Sequence, residues 1–392
     1  MGSKFRYIII FLLSCNIIAK SQETLEFRKL DSLTYLYYQN GEWDNLIRLG
    51  TQAINQNIDY KFLRQRLGYA YFIKSDYIES RKNFLKAYSF DSYDTFTLTY
   101  LYYSYLNSGK PEYAAYFAGK LNKDIRNKLP FSNYQLIESI DLEYNYKFSD
   151  AISRSDPRYY HLGINSRFGS GFQLYQMVSN YKQQFSIQYP GYSDILSIKQ
   201  PEYYALLKYT FSPHWTAKTA YHYLNMDYST IDRNANLGYL GMSANFGQLN
   251  LDAHASILKI EKYLVKQTGI EAGMEFSRNL NMYFTTKFAL TDQQSVTRYI
   301  YDQKAGFRIF KKAWIEGNVT FGELKNYNDY DAMYVYNSTD ITSFRGGATL
   351  FIYSGKHLTI WINGSFDQKE YYENLNYYYN QFSYLGGIKW KL

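Results

Sequence analysis

Residues 135–392 form a series of short, tyrosine-rich segments in which apolar and polar side chains alternate. Within the segment 280–293, for example, Phe284 and Phe288 fall on one face of an extended chain, whereas Thr285 and Lys287 fall on the other. A period of two residues predicts β-strands with one apolar and one polar face. Because the pattern continues through more than half of the chain, it constrains the fold more than any single motif does.

The spacing of these segments predicts a barrel. We predict strands at residues 135–148, 158–169, 172–185, 202–211, 215–228, 234–246, 249–261, 264–276, 280–293, 297–310, 313–325, 340–353, 357–370 and 379–391. Short connectors lie at 169–171, 212–214, 247–248, 277–279, 311–312 and 354–356, and long ones at 149–157, 186–201, 326–339 and 371–378. Strands of about 10 residues with alternating short and long connectors are typical of outer-membrane β-barrels, in which the short turns are periplasmic. An even number of strands places both ends of the barrel on that side.

The composition supports insertion into a membrane. Aromatic residues make up 20% of the chain and 47 residues are Tyr, although the mean hydropathy is −0.45. Tyr combines an apolar ring with a polar tip, which suits the boundary between lipid and water. Trp215 and Trp390 occupy lipid-facing positions beside short turns, and we predict that they belong to the lipid-interface girdle. A soluble β-sandwich would also alternate, but it would require neither the girdle nor so many strands in unbroken up-and-down order.

The beginning of the chain has the pattern of a secretory signal peptide. Lys4 and Arg6 precede an apolar run at residues 7–13, and small or polar residues follow. We therefore predict a signal peptide at residues 1–22. The single cysteine, Cys15, lies within it; acylation of Cys15 as a lipoprotein anchor is the alternative interpretation.

Residues 27–128 repeat with a period of 34 residues. The repeated positions include Leu33, Leu67 and Leu101, and also Tyr37, Tyr71 and Tyr105, and Gly41, Ser75 and Gly109. Helical repeats with this period are typical of tetratricopeptide motifs. We predict a tetratricopeptide-like helical domain at residues 23–130 and the barrel at residues 131–392. Stacked repeats offer a concave surface to a ligand, but a spacer that packs only on itself would have the same pattern.

The register of the alternation also predicts which side chains face the lumen of the barrel. We select a candidate substrate track among them: Trp314, Trp361, Lys218, Lys287, Lys304, Arg308, Glu316 and Arg345. The charged residues are either a ladder of ion pairs that braces the lumen or a filter that guides a substrate. The two Trp rings either fill space or stack on sugars.

The sequence contains no motif that indicates catalysis or a bound cofactor. CxxC, HExxH, a glycine-rich phosphate loop and a dinucleotide fingerprint are all absent. His222 and His254 are predicted to face inward, but no Ser nucleophile accompanies them in a defined motif. We predict that the protein is not an enzyme and has no cofactor and no metal. The carboxylates of the acidic segment 326–331 could bind calcium. The segment lacks the Gly and terminal Glu of an EF-hand, however, and we interpret it as a solvent-exposed external turn.

The formal net charge of +8 does not indicate a nucleic-acid partner. The basic residues form no stripe along the chain, and no nucleic-acid-binding module is recognisable. We therefore predict no nucleic-acid partner. The predicted partners are outer-membrane lipid and, through the helical repeats, a periplasmic protein or glycan.

The order of signal peptide, tetratricopeptide repeats and β-barrel resembles that of YaiO-type outer-membrane proteins. The segment Pro157–Gly163 is similar to the one that enters the second barrel strand of that type. The layout is also similar to a short version of the poly-N-acetylglucosamine export porins. The resemblance implies periplasmic repeats that engage a polymer, or the enzymes that modify it, before the barrel passes the polymer outward.

We therefore predict a tetratricopeptide-like helical solenoid followed by an up-and-down transmembrane β-barrel of about 14 strands, located in the outer membrane of a Gram-negative bacterium. The first functional hypothesis is a barrel with a periplasmic binding arm that exports or positions a polysaccharide or similar polymer. The alternative is a non-transporting outer-membrane anchor whose repeats recruit periplasmic protein partners.

Overall fold

The computed structural model describes residues 27–130, 135–151, 153–189, 192–228, 232–276, 281–372 and 376–392. The predicted signal peptide lies outside the described residues, and so does the predicted turn at 277–279.

The first described part of the chain is a stack of helices, which we call the arm. The helices are α1 (Phe27–Asn40), α2 (Trp43–Asn55), α3 (Lys61–Ile73), α4 (Tyr77–Phe90), α5 (Thr95–Asn107), α6 (Pro111–Lys120) and the short α7 (Lys123–Arg126). Successive pairs of helices begin at Phe27, Lys61 and Thr95, so the unit advances in steps of 34 residues. This is the predicted period, while the assignment of the pairs to the tetratricopeptide type remains a prediction.

Local chemistry sets the boundaries and the packing of these helices. The side chains of Asp76 and Asp94 accept hydrogen bonds from backbone N–H groups in the first turns of α4 and α5. Gly109 follows α5 in the left-handed conformation, with φ of +73°. Gly68 of α3 lies so close to the ring of Phe84 in α4 that an added Cβ would come within 2.7 Å of it. A small residue opposite a buried aromatic ring therefore allows these two helices to pack closely.

The rest of the described chain is a closed antiparallel barrel. Its strands are β1 (Gln135–Ser149), β2 (Arg158–Phe168), β3 (Phe172–Tyr189), β4 (Tyr192–Thr210), β5 (Trp215–Asp227), β6 (Asp232–Phe246), β7 (Leu249–Ile260), β8 (Tyr263–Phe276), β9 (Met282–Gln293), β10 (Val296–Phe310), β11 (Ala313–Leu324), β14 (Ile341–Ser354), β15 (Leu358–Glu370) and β16 (Tyr378–Lys391). Each barrel strand pairs with the next one along the chain, and β1 pairs with β16 to close the sheet. Two further strands, β12 (Tyr327–Asp329) and β13 (Tyr334–Tyr336), form a separate two-stranded sheet. The predicted number of barrel strands is confirmed.

The strand faces are divided between lipid and lumen. On β1, Asp141 and Glu143 are buried inside the barrel, whereas the intervening Leu142 and the following Tyr144 are exposed on its outer surface. Trp215 and Trp390 are exposed on the outer face beside the short turns, where an aromatic girdle would lie. No described helix is long and apolar enough to cross a membrane.

Two predicted long connectors have a different structure. The predicted loop at 186–201 is largely strand, because β3 and β4 continue past the predicted ends and pair as far as Tyr189 and Tyr192. Its many polar residues suggested a loop, but side chains beyond the rim of a barrel can be solvated on both faces of a hairpin. The second connector, 326–339, folds into the lumen and forms β12 and β13.

Adjacent glycines near the end of β16 test the assignment of the two faces. An added Cβ at Gly387 would lie 2.1 Å from the ring of Trp361, whereas one at Gly386 would meet nothing within 4 Å. We expect Gly387→Ala to lower the free energy of unfolding by about 1–3 kcal/mol, because Trp361 must move. Gly386→Ala should leave it nearly unchanged. Urea unfolding in detergent micelles, followed by the gel mobility of the folded barrel, measures both; equal effects would contradict the assigned faces.

Candidate functional site: the plugged lumen of the barrel

The lumen contains a polar cavity of about 630 Å³. Six residues of the predicted substrate track line it: Lys218, Lys287, Lys304, Glu316, Arg345 and Trp361. Trp314 lies on the same face of β11 as Glu316 and stacks on the ring of Tyr283, with centroids 5.7 Å apart. Arg308 is exposed near the short-turn end of β10 and does not line the cavity. A role of these residues in guiding a substrate remains a prediction.

The connector between β11 and β14 occupies the lumen, and we call residues 325–340 the plug. Our interpretation of residues 326–331 as a solvent-exposed turn is therefore wrong. Asn326, Tyr327 and Asn328 are at most 6% exposed. A buried loop must find partners for its backbone polar groups, and the polar wall of this barrel supplies them. Among the described residues, no group of three or more His, Cys, Asp or Glu is arranged to hold a metal ion.

One contact between the plug and the wall resembles the paired hydrogen bonds of two adjacent strands. The side-chain amide of Gln267, on β8, donates to the carbonyl oxygen of Asn328 at 2.8 Å and accepts from the backbone N–H of Asn328 at 3.0 Å. The Asn328 side chain donates to Ser256 Oγ at 2.8 Å. One residue further along the plug, Lys287 Nζ lies 2.6 Å from Asp329 Oδ1. The predicted track lysine Lys287 thus binds the plug.

The plug tip, which comprises residues Tyr330–Met333, is held by a group of wall residues. Lys218 Nζ lies 2.7 Å from Asp331 Oδ1, and the Tyr239 hydroxyl donates to the same oxygen at 2.8 Å. Lys208 Nζ lies 3.6 Å from Asp331 Oδ2. The backbone of the tip is fixed as well, because Tyr204 donates to the Asp331 carbonyl at 2.8 Å. A second predicted track residue, Lys218, therefore contacts the plug.

The backbone of the plug tip is strained. Tyr330, Asp331 and Ala332 have φ values of +52°, +57° and +69°. Three successive non-glycine residues in the left-handed region cost roughly 1–3 kcal/mol each. The buried His222 ring holds the last of them, since its Nδ1 lies 2.9 Å from the Ala332 carbonyl oxygen. The contacts of the tip must therefore offset several kcal/mol of strain.

Hydrogen bonds between two plug tyrosines and charged residues of the wall hold the remainder of the plug. The Tyr334 hydroxyl donates to Glu143 Oε1 at 2.9 Å, and Trp361 Nε1 donates to Glu143 Oε2 at 3.0 Å. Arg345 binds the Tyr336 hydroxyl and forms a two-point ion pair with Asp367 at 2.6 and 2.7 Å. Arg345 thus contacts the plug directly, whereas Trp361 contacts Glu143, the wall residue that binds Tyr334 of the plug.

A further ion pair lies where the plug joins β14. Arg154 forms a buried pair with Asp340, at 3.0 and 3.2 Å. Tyr379 donates to the same carboxylate at 2.8 Å. The connector between β1 and β2 and the last barrel strand therefore both hold the end of the plug.

The arm is attached to the short-turn end of the barrel, opposite the end from which the plug enters. Lys110 Nζ lies 2.6 Å from Glu275 Oε1 and 2.7 Å from Asn250 Oδ1. The fully buried Arg81 donates to the Gly247 carbonyl at 3.2 Å and lies 3.6 Å from Glu275 Oε2. Glu275 therefore forms ion pairs with two cationic side chains of the arm.

Two tyrosines of the arm contact the β4–β5 turn. Tyr105 donates to the Pro213 carbonyl at 3.2 Å, and Tyr113 donates to the His214 carbonyl at 3.1 Å. Burial raises the pKa of Tyr113 to about 12 and also raises the pKa of Tyr105. Both hydroxyls therefore remain protonated donors at neutral pH.

A cavity of about 530 Å³ separates the arm from the plug tip, and we call it the vestibule. Its lining combines arm residues around Gly109, the tip residues Tyr330, Asp331 and Met333, and wall residues of the barrel. The sequence pattern did not reveal it, because its lining comes from three separate parts of the chain. The acidic residues of 326–331 were a sequence signal that this segment lies inside the lumen, because several lumen-facing lysines required anionic partners.

No protein-family model matches this chain, and no curated protein is recognisably similar to it. Similar solved structures include the Pseudomonas putida toluene transporter TodX, with 7% identity, a TM-score of 0.46, and coverage of 65% of this chain and 89% of TodX. A bacterial polysaccharide outer membrane secretin has 6% identity and a TM-score of 0.42, covering 66% and 99% of the two chains. The KdgM porin in complex with disordered oligogalacturonate has 11% identity and a TM-score of 0.31, covering 64% and 99%.

These similarities transfer no ligand to this chain. A closed antiparallel barrel with an apolar outer face satisfies every strand hydrogen bond without water. It is the fold of outer-membrane proteins of Gram-negative bacteria. The chain is such a barrel, preceded by helices.

The reciprocal amide contact of Gln267 tests how the plug is held. We expect Gln267→Leu to leave the backbone N–H and carbonyl of Asn328 unpaired, which costs about 1–3 kcal/mol for each group that stays buried. Hydrogen exchange of residues 326–337 should then be faster. Gln303→Leu is the control, because Gln303 bonds to residues of its own sheet and not to the plug. Equal exchange in the two variants would refute this account.

The attachment of the arm to the barrel depends on Glu275. We expect Glu275→Lys to repel Lys110 and Arg81 and to release the arm, so that limited proteolysis between the arm and β1 becomes several-fold faster. Glu261→Lys is the matched control, because Glu261 pairs with the exposed Arg233 at the opposite end of the barrel. Identical proteolysis of the wild type and the Glu275 variant would show that the arm does not depend on this ion pair.

Proposed function

We propose that this protein is a gated outer-membrane channel that exports or positions a polysaccharide or similar polymer. The observation that carries the proposal is the plug. A barrel used only as an anchor can be filled by the side chains of its own wall. Here a separate loop fills the lumen, it is held by discrete polar contacts, and a cavity of about 630 Å³ remains beside it. A loop of this kind is a removable obstruction.

The position of the arm supports movement of the polymer from the periplasm outward. The arm contacts the short-turn end of the barrel through Arg81, Lys110 and Tyr113. In outer-membrane barrels the short turns face the periplasm. We therefore propose that the arm lies in the periplasm, that its repeats receive a glycan or a periplasmic protein, and that outer-membrane lipid surrounds the barrel.

The lining of the lumen suits a polar polymer. Charged side chains of both signs surround the cavity, and the indole ring of Trp361 lies among them. Aromatic rings offer flat apolar faces to sugar rings, while the charged groups bind hydroxyl groups. We propose that, in the open state, the predicted track residues contact the sugar units of the polymer. These residues include Trp314 and Arg308, which do not line the cavity of about 630 Å³.

The proposal contains no catalytic step and no cofactor. Both ring nitrogens of His222 are occupied, Nδ1 by the Ala332 carbonyl at 2.9 Å and Nε2 by Glu202 at 3.2 Å. The ring is fully buried, which suits a structural contact with the plug.

The second candidate function is a non-transporting anchor whose arm recruits periplasmic proteins. The dense contacts around the plug favour it, because they would equally hold a barrel closed permanently. Large aromatic side chains exposed on the arm, such as Phe62 and Tyr93, offer contact area to a partner protein.

Deletion of the plug distinguishes the two functions. The backbone N–H of Asn326 donates to the Tyr336 carbonyl at 2.7 Å, so the ends of the intervening segment are already adjacent. We expect replacement of residues 327–336 by two glycines to produce a stable single-channel conductance in planar bilayers, at least several-fold above that of the full chain. The physical reason is the removal of the loop from the conducting path.

Arg233→Ala is the control for this measurement. It breaks an exposed ion pair at the same end of the barrel and leaves the plug in place, so its conductance should equal that of the wild type. A folded deletion variant that does not conduct would overturn the channel proposal and favour the anchor.

A further inference from the structure

The residues that hold Asp331 form an anion site on the barrel wall. Lys218 and the Tyr239 hydroxyl converge on one carboxylate oxygen at 2.7 and 2.8 Å, and Lys208 faces the other at 3.6 Å. They come from three adjacent strands, β4, β5 and β6. Rigid strands therefore position two ammonium groups and one hydroxyl donor around a single carboxylate.

The central cation of this site, Lys218, has a second partner on the wall besides Asp331. Lys218 Nζ also lies 2.5 Å from Asp252 Oδ2, and Ser243 donates to the same Asp252 oxygen at 2.6 Å. The wall thus keeps Lys218 in place by itself. Asp331, in contrast, reaches the site only through three successive residues in the left-handed conformation, which L-residues rarely adopt. The wall is preorganised, whereas the plug tip is distorted to reach it.

The vestibule leads to this site and is rich in lysine. Lys208, Lys356, Lys389 and Lys391 line it together with the acids Glu112, Glu138 and Asp331. Glu138 is already paired with Arg167 at 2.5 Å. No acidic side chain in the described part of the chain lies within 4 Å of the ammonium groups of Lys356, Lys389 or Lys391, although Lys389 interacts electrostatically with Asp141 and Glu138. The volume of about 530 Å³ is within the range of ligand pockets.

We propose that Lys208, Lys218 and Tyr239 form a binding site for the carboxylate of an acidic sugar, and that Asp331 occupies this site in the closed protein. A carboxylate arriving through the vestibule replaces that of Asp331, and the strained plug tip is released from the wall. We assign a carboxylate to the ligand because the carboxylate of Asp331 fills the site in this structure. That the ligand is a sugar, and that its binding opens a channel, rests on the proposed function.

Titration calorimetry of the full-length protein in detergent, with D-glucuronate as the probe, tests the site. A tethered competitor reduces the apparent affinity by the fraction of molecules whose site is free. If Asp331 vacates the site in about one molecule in ten, Asp331→Asn should bind glucuronate about tenfold more tightly than the wild type. Adding Tyr239→Phe to Asp331→Asn should weaken this binding, because one donor is lost.

Matched controls isolate the carboxylate. D-glucose should bind to none of these proteins at the same concentration. Asp292→Asn makes the same substitution at a residue whose side chain faces Thr297 of the neighbouring strand and not Asp331, and it should behave as the wild type. An affinity of Asp331→Asn equal to that of the wild type, or unaffected by Tyr239→Phe, would overturn the proposal.

Hydrogen exchange of the unmodified protein provides a test that needs no variant. Glucuronate should accelerate the exchange of residues 326–337, and glucose should not; unchanged exchange at saturating glucuronate would refute the displacement of the plug tip. Both measurements are made in detergent without a membrane current. The bilayer experiment can therefore contradict the channel proposal without affecting the test of the carboxylate site. The binding and exchange experiments can likewise contradict the carboxylate site without affecting the channel proposal.

Discussion

Hydrogen bonding of the backbone without water is the constraint on which this structure depends. Inside a bilayer every strand must pair on both edges, so the sheet has to close, and here β1 closes it by pairing with β16. Closure also creates an interior lined by the polar face of every strand. Those side chains need partners, and the plug is the segment that supplies many of them.

The plug is stabilised by buried ion pairs and destabilised by a strained backbone. Removing one partner from a buried ion pair costs about 3–5 kcal/mol, which makes pairs such as Lys287 with Asp329 and Arg154 with Asp340 effective attachments. The left-handed conformation of residues 330–332 opposes them. The plug therefore combines discrete polar contacts with local backbone strain.

The arm, the wall and the plug tip meet at the vestibule. Gly109 of the arm, Lys389 of the wall and Asp331 of the plug all line this one cavity. A ligand bound there would contact all three parts at once. Because Glu275 ties Lys110 and Arg81 of the arm to the barrel, displacement of the arm would change the same cavity. The attachment of the arm and the binding site of the plug tip therefore both adjoin the vestibule.

The amino-acid sequence by itself determined the architecture, because its signals are local and periodic. The alternation around Phe284 and Lys287 predicted strands, and the step from Leu33 to Leu67 to Leu101 predicted paired helices. It also placed Lys218, Lys287 and Trp361 on the inner face, since a period of two residues assigns each side chain to one side of a sheet.

Only the tertiary structure decided what those inward residues contact. Residues 326–331 have the composition of a solvated turn, yet the partners of Asn328 and Asp331 lie 61 and 113 residues away in the chain. Contacts at such separations are set by closure of the barrel and by the need to pair buried polar groups. Neither is visible in a local pattern, and for that reason the plug, the carboxylate site and the docking of the arm emerge only in three dimensions.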